Sequence, residues 1–194
     1  MSKKQKIIFG FTFLICLLFQ IIPVIRSGLN YSYGIGFWGS NGHDAIWHLS
    51  LINHITNPLK IRLPIYSGEL LNNYHPFYDI LIALISKVTT LNSSILYFQI
   101  FPLVSTFFLL LTSYFIGRKT TGKFSGGIIL LFLNSFANSF GWIVSFIKSG
   151  QIGGESLFWA MQSPSNQLNP PYVLSLIFIN LLILILLSSS NKKF

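Results

Sequence analysis

The chain has 194 residues, 52% of them hydrophobic and only 9% charged, against roughly 25% charged in an ordinary soluble domain. That balance excludes a soluble globular protein. The net charge of +9 does not mark a nucleic-acid binder, because the basic residues sit at the ends of apolar runs rather than in one stripe. One cysteine, Cys16, excludes a disulfide within the chain.

A basic head, "MSKKQK", leads into the apolar run "IIFGFTFLICLLFQIIPVI", residues 7–25. The run is longer than the roughly 7–15 residues of a signal-peptide core, and no small-x-small cleavage site follows. It reads as an uncleaved first span anchored by Lys3, Lys4 and Lys6. Further runs long enough to cross a bilayer, about 20 apolar residues each, fall near 94–117, 124–142 and 172–190. Pro102 predicts a kink in the second. Asn134 and Asn138 in the third are expected to face other helices. Pro170 and Pro171 suit the start of the fourth. The fold expected is therefore an all-α, multi-pass transmembrane bundle of about four spans in one membrane domain.

The run "FYDILIALISKVTTL", near 77–91, is shorter and carries Asp79 and Lys87 near its ends. Loop charge decides its placement, since cytoplasmic loops are enriched in Lys and Arg. With four spans and the N-terminus inside, Lys3, Lys4, Lys6, Arg118, Lys119, Lys123, Lys192 and Lys193 are cytoplasmic, eight of the thirteen basic residues. A fifth span leaves five inside. The run is therefore expected to lie on the outer surface as an interfacial helix. All four acids (Asp44, Glu69, Asp79, Glu155) and all four histidines (His43, His48, His54, His75) then fall outside, in a first outer loop at 26–93 and a second at 143–171.

In the first outer loop, "GHDAIWHLSLINHI" predicts a second interfacial helix near 42–56, capped by Asn41 and stopped before Pro58. At about 100° per residue, Asp44, His48, Leu51 and Ile55 share a stripe, and His43, Trp47, Ser50 and His54 form its neighbour. Asp44 reads as a general base or a cation anchor, or as an ordinary first-turn acid favoured by the helix dipole. Asp44 and His48, four apart, are a candidate pair for a divalent cation, Mg or Mn. Tyr74, His75 and Asp79 form a second polar group expected to meet the Asp44 helix. Glu69 reads as solvated. The second outer loop is rich in Gly, Ser, Asn, Gln and Pro and reads as a lid or a plain connection.

The order of these features resembles the N-terminal module of the GT-C superfamily of integral membrane glycosyltransferases. A basic N-terminus and one span are followed by a loop acid in "GHDAIWHLSLINHI". Then "YHPFYDILIAL" introduces an outer-surface helix, and a second span closes on "FIGRKTTGK". The resemblance covers roughly residues 3–122. It implies inverting transfer of a sugar from a polyprenyl-phosphate donor to an acceptor on the outer face of the plasma (inner) membrane. Asp44 would be the base. His43, His48, Arg62, Tyr74, His75 and Asp79 would bind substrate or the leaving phosphate, with Lys60 a further phosphate cation. The superfamily often shows a tandem acid pair here, whereas Asp44 is flanked by His43 and Ala45. Its members carry more spans, which implies an N-terminal part or reduced form of such an enzyme, working with membrane lipids and with a missing C-terminal part or another membrane subunit.

The competing expectation is a non-enzymatic lipid-binding module or subunit, with Gly127, Asn134 and Asn138 facing a partner. A transporter is disfavoured, because no ionisable residue lies centrally in a span.

Overall fold

The computed structural model describes residues 1–37, 40–42, 44–66, 68–137, 141–150 and 166–190. Helices dominate. The order is α1 (Lys3–Ile21), a two-residue antiparallel hairpin of β1 (Asn30–Tyr31) and β2 (Gly34–Ile35), α2 (Ala45–His54), α3 (Phe77–Thr89), α4 (Ser93–Thr121), α5 (Phe124–Phe136), α6 (Gly141–Ser149) and α7 (Pro170–Ser190). Among the described residues, α1, α4 and α7 are long and apolar enough to cross a membrane. The chain is thus mostly helical, with three candidate membrane-spanning helices compatible with an integral membrane protein.

Each helix end has a local cause. A capping box starts α1 earlier than expected: the Gln5 N–H donates to Ser2 Oγ (3.2 Å), and the Ser2 N–H donates to Gln5 Oε1 (2.9 Å). The helix ends at Ile21, because Pro23 brings no N–H to continue the ladder. At the start of α4, Asn92 accepts the Ser94 N–H at 2.8 Å. The expected kink appears as a widened turn: residues Leu96–Ile100 are π-helical, one turn before Pro102. The missing proline N–H and the ring's clash with the preceding turn favour such widening.

The third predicted span, 124–142, is not continuous. Helix α5 stops at Phe136, where Ala137 turns extended, and α6 begins at Gly141. Thirteen residues cover about 20 Å, short of a hydrocarbon core of about 30 Å. Asn138, Glu155, Lys192 and Lys193 lie outside the described residues, as does most of the segment 143–171 expected to form a second outer loop.

Helix α4 is the axis of the bundle. One core joins Cys16 of α1, Leu110 and Tyr114 of α4 and Leu131 of α5. Another joins Leu109 of α4 to Val173 and Ile177 of α7. Close approach of α4 and α5 rests on glycines. A Cβ on Gly126 would lie 2.6 Å from the Gly117 carbonyl oxygen, and one on Gly127 would lie 2.6 Å from the Tyr114 ring. Small residues of this kind let membrane helices approach closely. Gly127 thus serves packing inside the chain. Asn134 does too, since its amide donates to Ser113 at 3.0 Å.

That bond belongs to a seam of uncharged polar groups through the bundle. Gln20 donates to Ser135 (3.2 Å) and accepts from Asn166 (3.3 Å). Gln167 donates to Thr106 (2.7 Å) and Asn180 to Thr112 (3.0 Å). Inside a membrane such groups must find one another, because no water competes for them.

A third core lies in the connection between α1 and α4. It packs Ala45, Leu51 and Ile52 of α2, with Ile55 at its end, against Tyr78, Ile82 and Ala83 of α3 and against Leu96, Tyr97 and Phe98 of α4. The two loop helices therefore form a small packed layer on the head of α4.

Candidate functional site

The stripe of Asp44, His48, Leu51 and Ile55 lies against the protein, together with Ala45 and Ile52 beside it. His48, Leu51 and Ile55 are each at most 3% exposed, and Asp44 is half-buried. Two details of the helix start differ from expectation. Asn41 sits in a separate short turn, Ser40–Gly42, so it does not cap α2. Asp44 holds the capping position, without a side-chain cap bond. The Asn41 amide is fully buried, and both of its polar atoms lack a hydrogen bond among the described residues.

One turn after Asp44, His48 Nδ1 lies 2.8 Å from Asp79 Oδ1, with both side chains buried. A carboxylate at Nδ1 fixes that nitrogen as the donor and orients the ring. Nε2 is then the imidazole atom left to exchange a proton or to meet an anion. The ring stacks on Tyr97 (centroids 5.6 Å) and meets Tyr78 edge-on (6.4 Å). Asp79 Oδ2 and the hydroxyls of Tyr78 and Tyr97 are buried and make no hydrogen bond among the described residues. Buried polar atoms left in this condition are uncommon, and they mark a place where packing alone did not choose the residues.

On the next face of α2, the Trp47 indole N–H donates to the Tyr74 hydroxyl at 3.1 Å, and the Tyr74 ring stacks on His75 (5.0 Å). Burial raises the Tyr74 phenol above its ordinary value. The Trp47 bond opposes this, and the carboxylates of Asp79 and then Asp44 add to it. Tyr78 is raised further, by burial first, then by Tyr97 and Asp79. Both phenols are therefore donors at neutral pH.

Of the residues expected from sequence, the structure gathers Asp44, His48, Tyr74 and Asp79, with His75 at the exposed edge. Asp79 faces His48 rather than an open pocket, so its role here is to hold the imidazole. Arg62 stands apart on an exposed loop, its guanidinium donating to the Gly68 carbonyl at 3.2 Å beside a bridge to Leu70. Lys60 and Glu69 are exposed. His54 is also exposed, with Nδ1 2.7 Å from the Ser50 carbonyl oxygen. His43 lies outside the described residues. Among the described residues, no three His, Cys, Asp or Glu side chains gather as a metal-ligand set. A cation on Asp44 and His48 would have to use Nε2, since Nδ1 is committed to Asp79. Tyr78 and Tyr97 were not singled out from sequence: one reads as part of an apolar helix, the other as part of a span.

No protein-family model, no curated protein and no solved structure matches this chain.

Proposed function

We propose that the chain is a membrane glycosyltransferase-like protein of the plasma (inner) membrane, an N-terminal part or reduced form of such an enzyme. In this reading it moves a sugar from a polyprenyl-phosphate donor to a hydroxyl acceptor on the outer face. The observation that carries the reading is the convergence at the head of α2. A half-buried acid, Asp44, stands one turn from an imidazole that a buried carboxylate holds in place. It occupies the loop position where the GT-C resemblance puts an essential acid.

The chemistry is a single displacement. Asp44 takes the proton of the acceptor hydroxyl. The acceptor oxygen bonds to the anomeric carbon while the bond from that carbon to the phosphate oxygen breaks. Polyprenyl phosphate leaves with the electron pair, and the configuration inverts. His48 as imidazolium would offer Nε2–H to the departing phosphate, with Asp79 stabilising the cation from behind. Arg62 keeps further N–H groups beyond the one given to Gly68 and would add positive charge from the loop.

Asp44→Asn keeps the side chain's size and removes the base. In membranes that carry out transfer from polyprenyl-phosphate hexoses, it abolishes transfer while expression and insertion stay unchanged. Retained transfer by an inserted Asp44→Asn protein sinks the assignment of Asp44. A wild-type protein inert towards every such donor favours the non-enzymatic reading.

A further inference from the structure

The end of the bundle opposite the candidate site carries a second place where ligand chemistry is written into the fold. Phe115, Arg118 and Lys119 share one stripe of α4, at i, i+3 and i+4, and Gly122, the residue that ends the helix, continues it. With Leu184 of α7 they line an open cleft of about 380 Å³. The Lys119 ammonium reaches Ser188 Oγ on α7 and ties the two helix ends together above the cleft. Gly122, in a left-handed conformation, leaves its edge open, with no atom within 4 Å of where a side chain would begin.

The cleft's charge has no carboxylate counterion among the described residues: none pairs with Arg118 or Lys119. Asp44, Glu69 and Asp79 all belong to the connection between α1 and α4, while Arg118 and Lys119 close the other end of α4. More positive charge gathers at that end. The Tyr114 hydroxyl lies 3.6 Å from Met1 Sδ, which brings the start of α1, with Lys3, Lys4 and Lys6, to the last turns of α4. Two cations over an apolar floor, at the edge of a membrane bundle, match a ligand with an anionic head and a hydrocarbon tail.

We propose that this cleft is a binding site for an anionic phospholipid. Its phosphate oxygens accept from the Arg118 guanidinium and the Lys119 ammonium, and an acyl chain runs down between Phe115 and Leu184. A zwitterionic lipid brings its own cation to the same place and gains less. The site is independent of the outer-face chemistry, and it holds whichever leaflet this end occupies.

The test uses the full chain, purified in detergent. Native mass spectrometry and thermal unfolding are measured with phosphatidylglycerol, phosphatidylcholine or inorganic phosphate. Phosphatidylglycerol is expected to stay bound and to raise the unfolding midpoint saturably, phosphatidylcholine to do so weakly and inorganic phosphate not at all. The double variant Arg118→Gln/Lys119→Gln should bind phosphatidylglycerol about thirtyfold more weakly. Lys3→Gln/Lys4→Gln should change it by less than about threefold. Leu184→Trp keeps every charge and fills the floor, so it should also weaken phosphatidylglycerol binding, and it serves where the double variant does not insert. Equal retention of the two lipids overturns the proposal. So does undiminished binding in both cleft variants, an equal loss in the Lys3/Lys4 control, or a saturable response to inorganic phosphate to which the lipid adds nothing.

Discussion

His48 and Asp79, thirty-one positions apart in the chain, share a 2.8 Å contact with both side chains buried. Removing one partner of such a pair leaves the other desolvated and unpaired, a change that costs about 3–5 kcal/mol. Asp79→Ala should therefore lower the unfolding midpoint sharply, followed through the fluorescence of Trp47 beside Tyr74. His48→Phe/Asp79→Leu, which removes both partners, should recover most of the loss. A double variant no more stable than Asp79→Ala would mean that the pair is not the source of the effect.

Alkaline pH should reach the same layer by another route. Burial lifts the Tyr78 phenol well above its ordinary 10.0, with Tyr97 and Asp79 adding to the shift. The unfolded chain releases that proton near 10.0 and the folded chain keeps it. Stability is thus fully present below that pH and is lost as pH rises towards the raised folded value. Tyr78→Phe should move the alkaline unfolding midpoint to higher pH, whereas Tyr33→Phe, on an exposed ring, should leave it in place.

The contact between α4 and α5 tolerates no side chain at its centre. A methyl group on Gly117 would strike the Gly126 carbonyl oxygen and Leu130. Gly117→Ala should cost about 1–3 kcal/mol, as overpacking does, and lower the thermal midpoint. Gly10→Ala, on a face of α1 with nothing within 4 Å, should be neutral or slightly stabilising.

Orientation is open to direct labelling, because the native thiol is silent: Cys16 is fully buried. Leu59→Cys, at a position 91% exposed, should react with an impermeant maleimide from outside the cell. Thr120→Cys, exposed at the far end of α4, should react only after permeabilisation. The reverse pattern would overturn the outside placement of the first loop.

The apolar runs announced α1, α4 and α7, because a bilayer demands length and hydrophobicity and both are legible in single residues. The run at 124–142 misled by the same logic: mean apolarity does not register the change to extended backbone at Ala137. The spacing of Asp44, His48, Leu51 and Ile55 put them on one stripe of α2 without saying that this stripe, with Ala45 and Ile52 beside it, would be buried. Which atom meets His48 was beyond it, since the meeting with Asp79 depends on how α3 docks. The partners of Gln20, Asn166, Gln167 and Asn180 were equally out of reach, because helical period gives a residue's direction and not what stands opposite.

The widened turn at Leu96–Ile100 has a consequence for how this chain can vary. An added residue in a helix swings everything before it by about 100° relative to everything after it. Here Leu96, Tyr97 and Phe98, three in a row, are all buried in the layer formed with α2 and α3, while Leu109, Leu110 and Tyr114 further along keep their own faces towards α1, α5 and α7. Deleting one residue in that turn would rotate Tyr97 off the His48 ring without disturbing the rest of the bundle. The turn acts as a clutch between two gear trains: the layer of α2 and α3 can be re-indexed by a single insertion or deletion while the bundle of α1, α5 and α7 stays engaged.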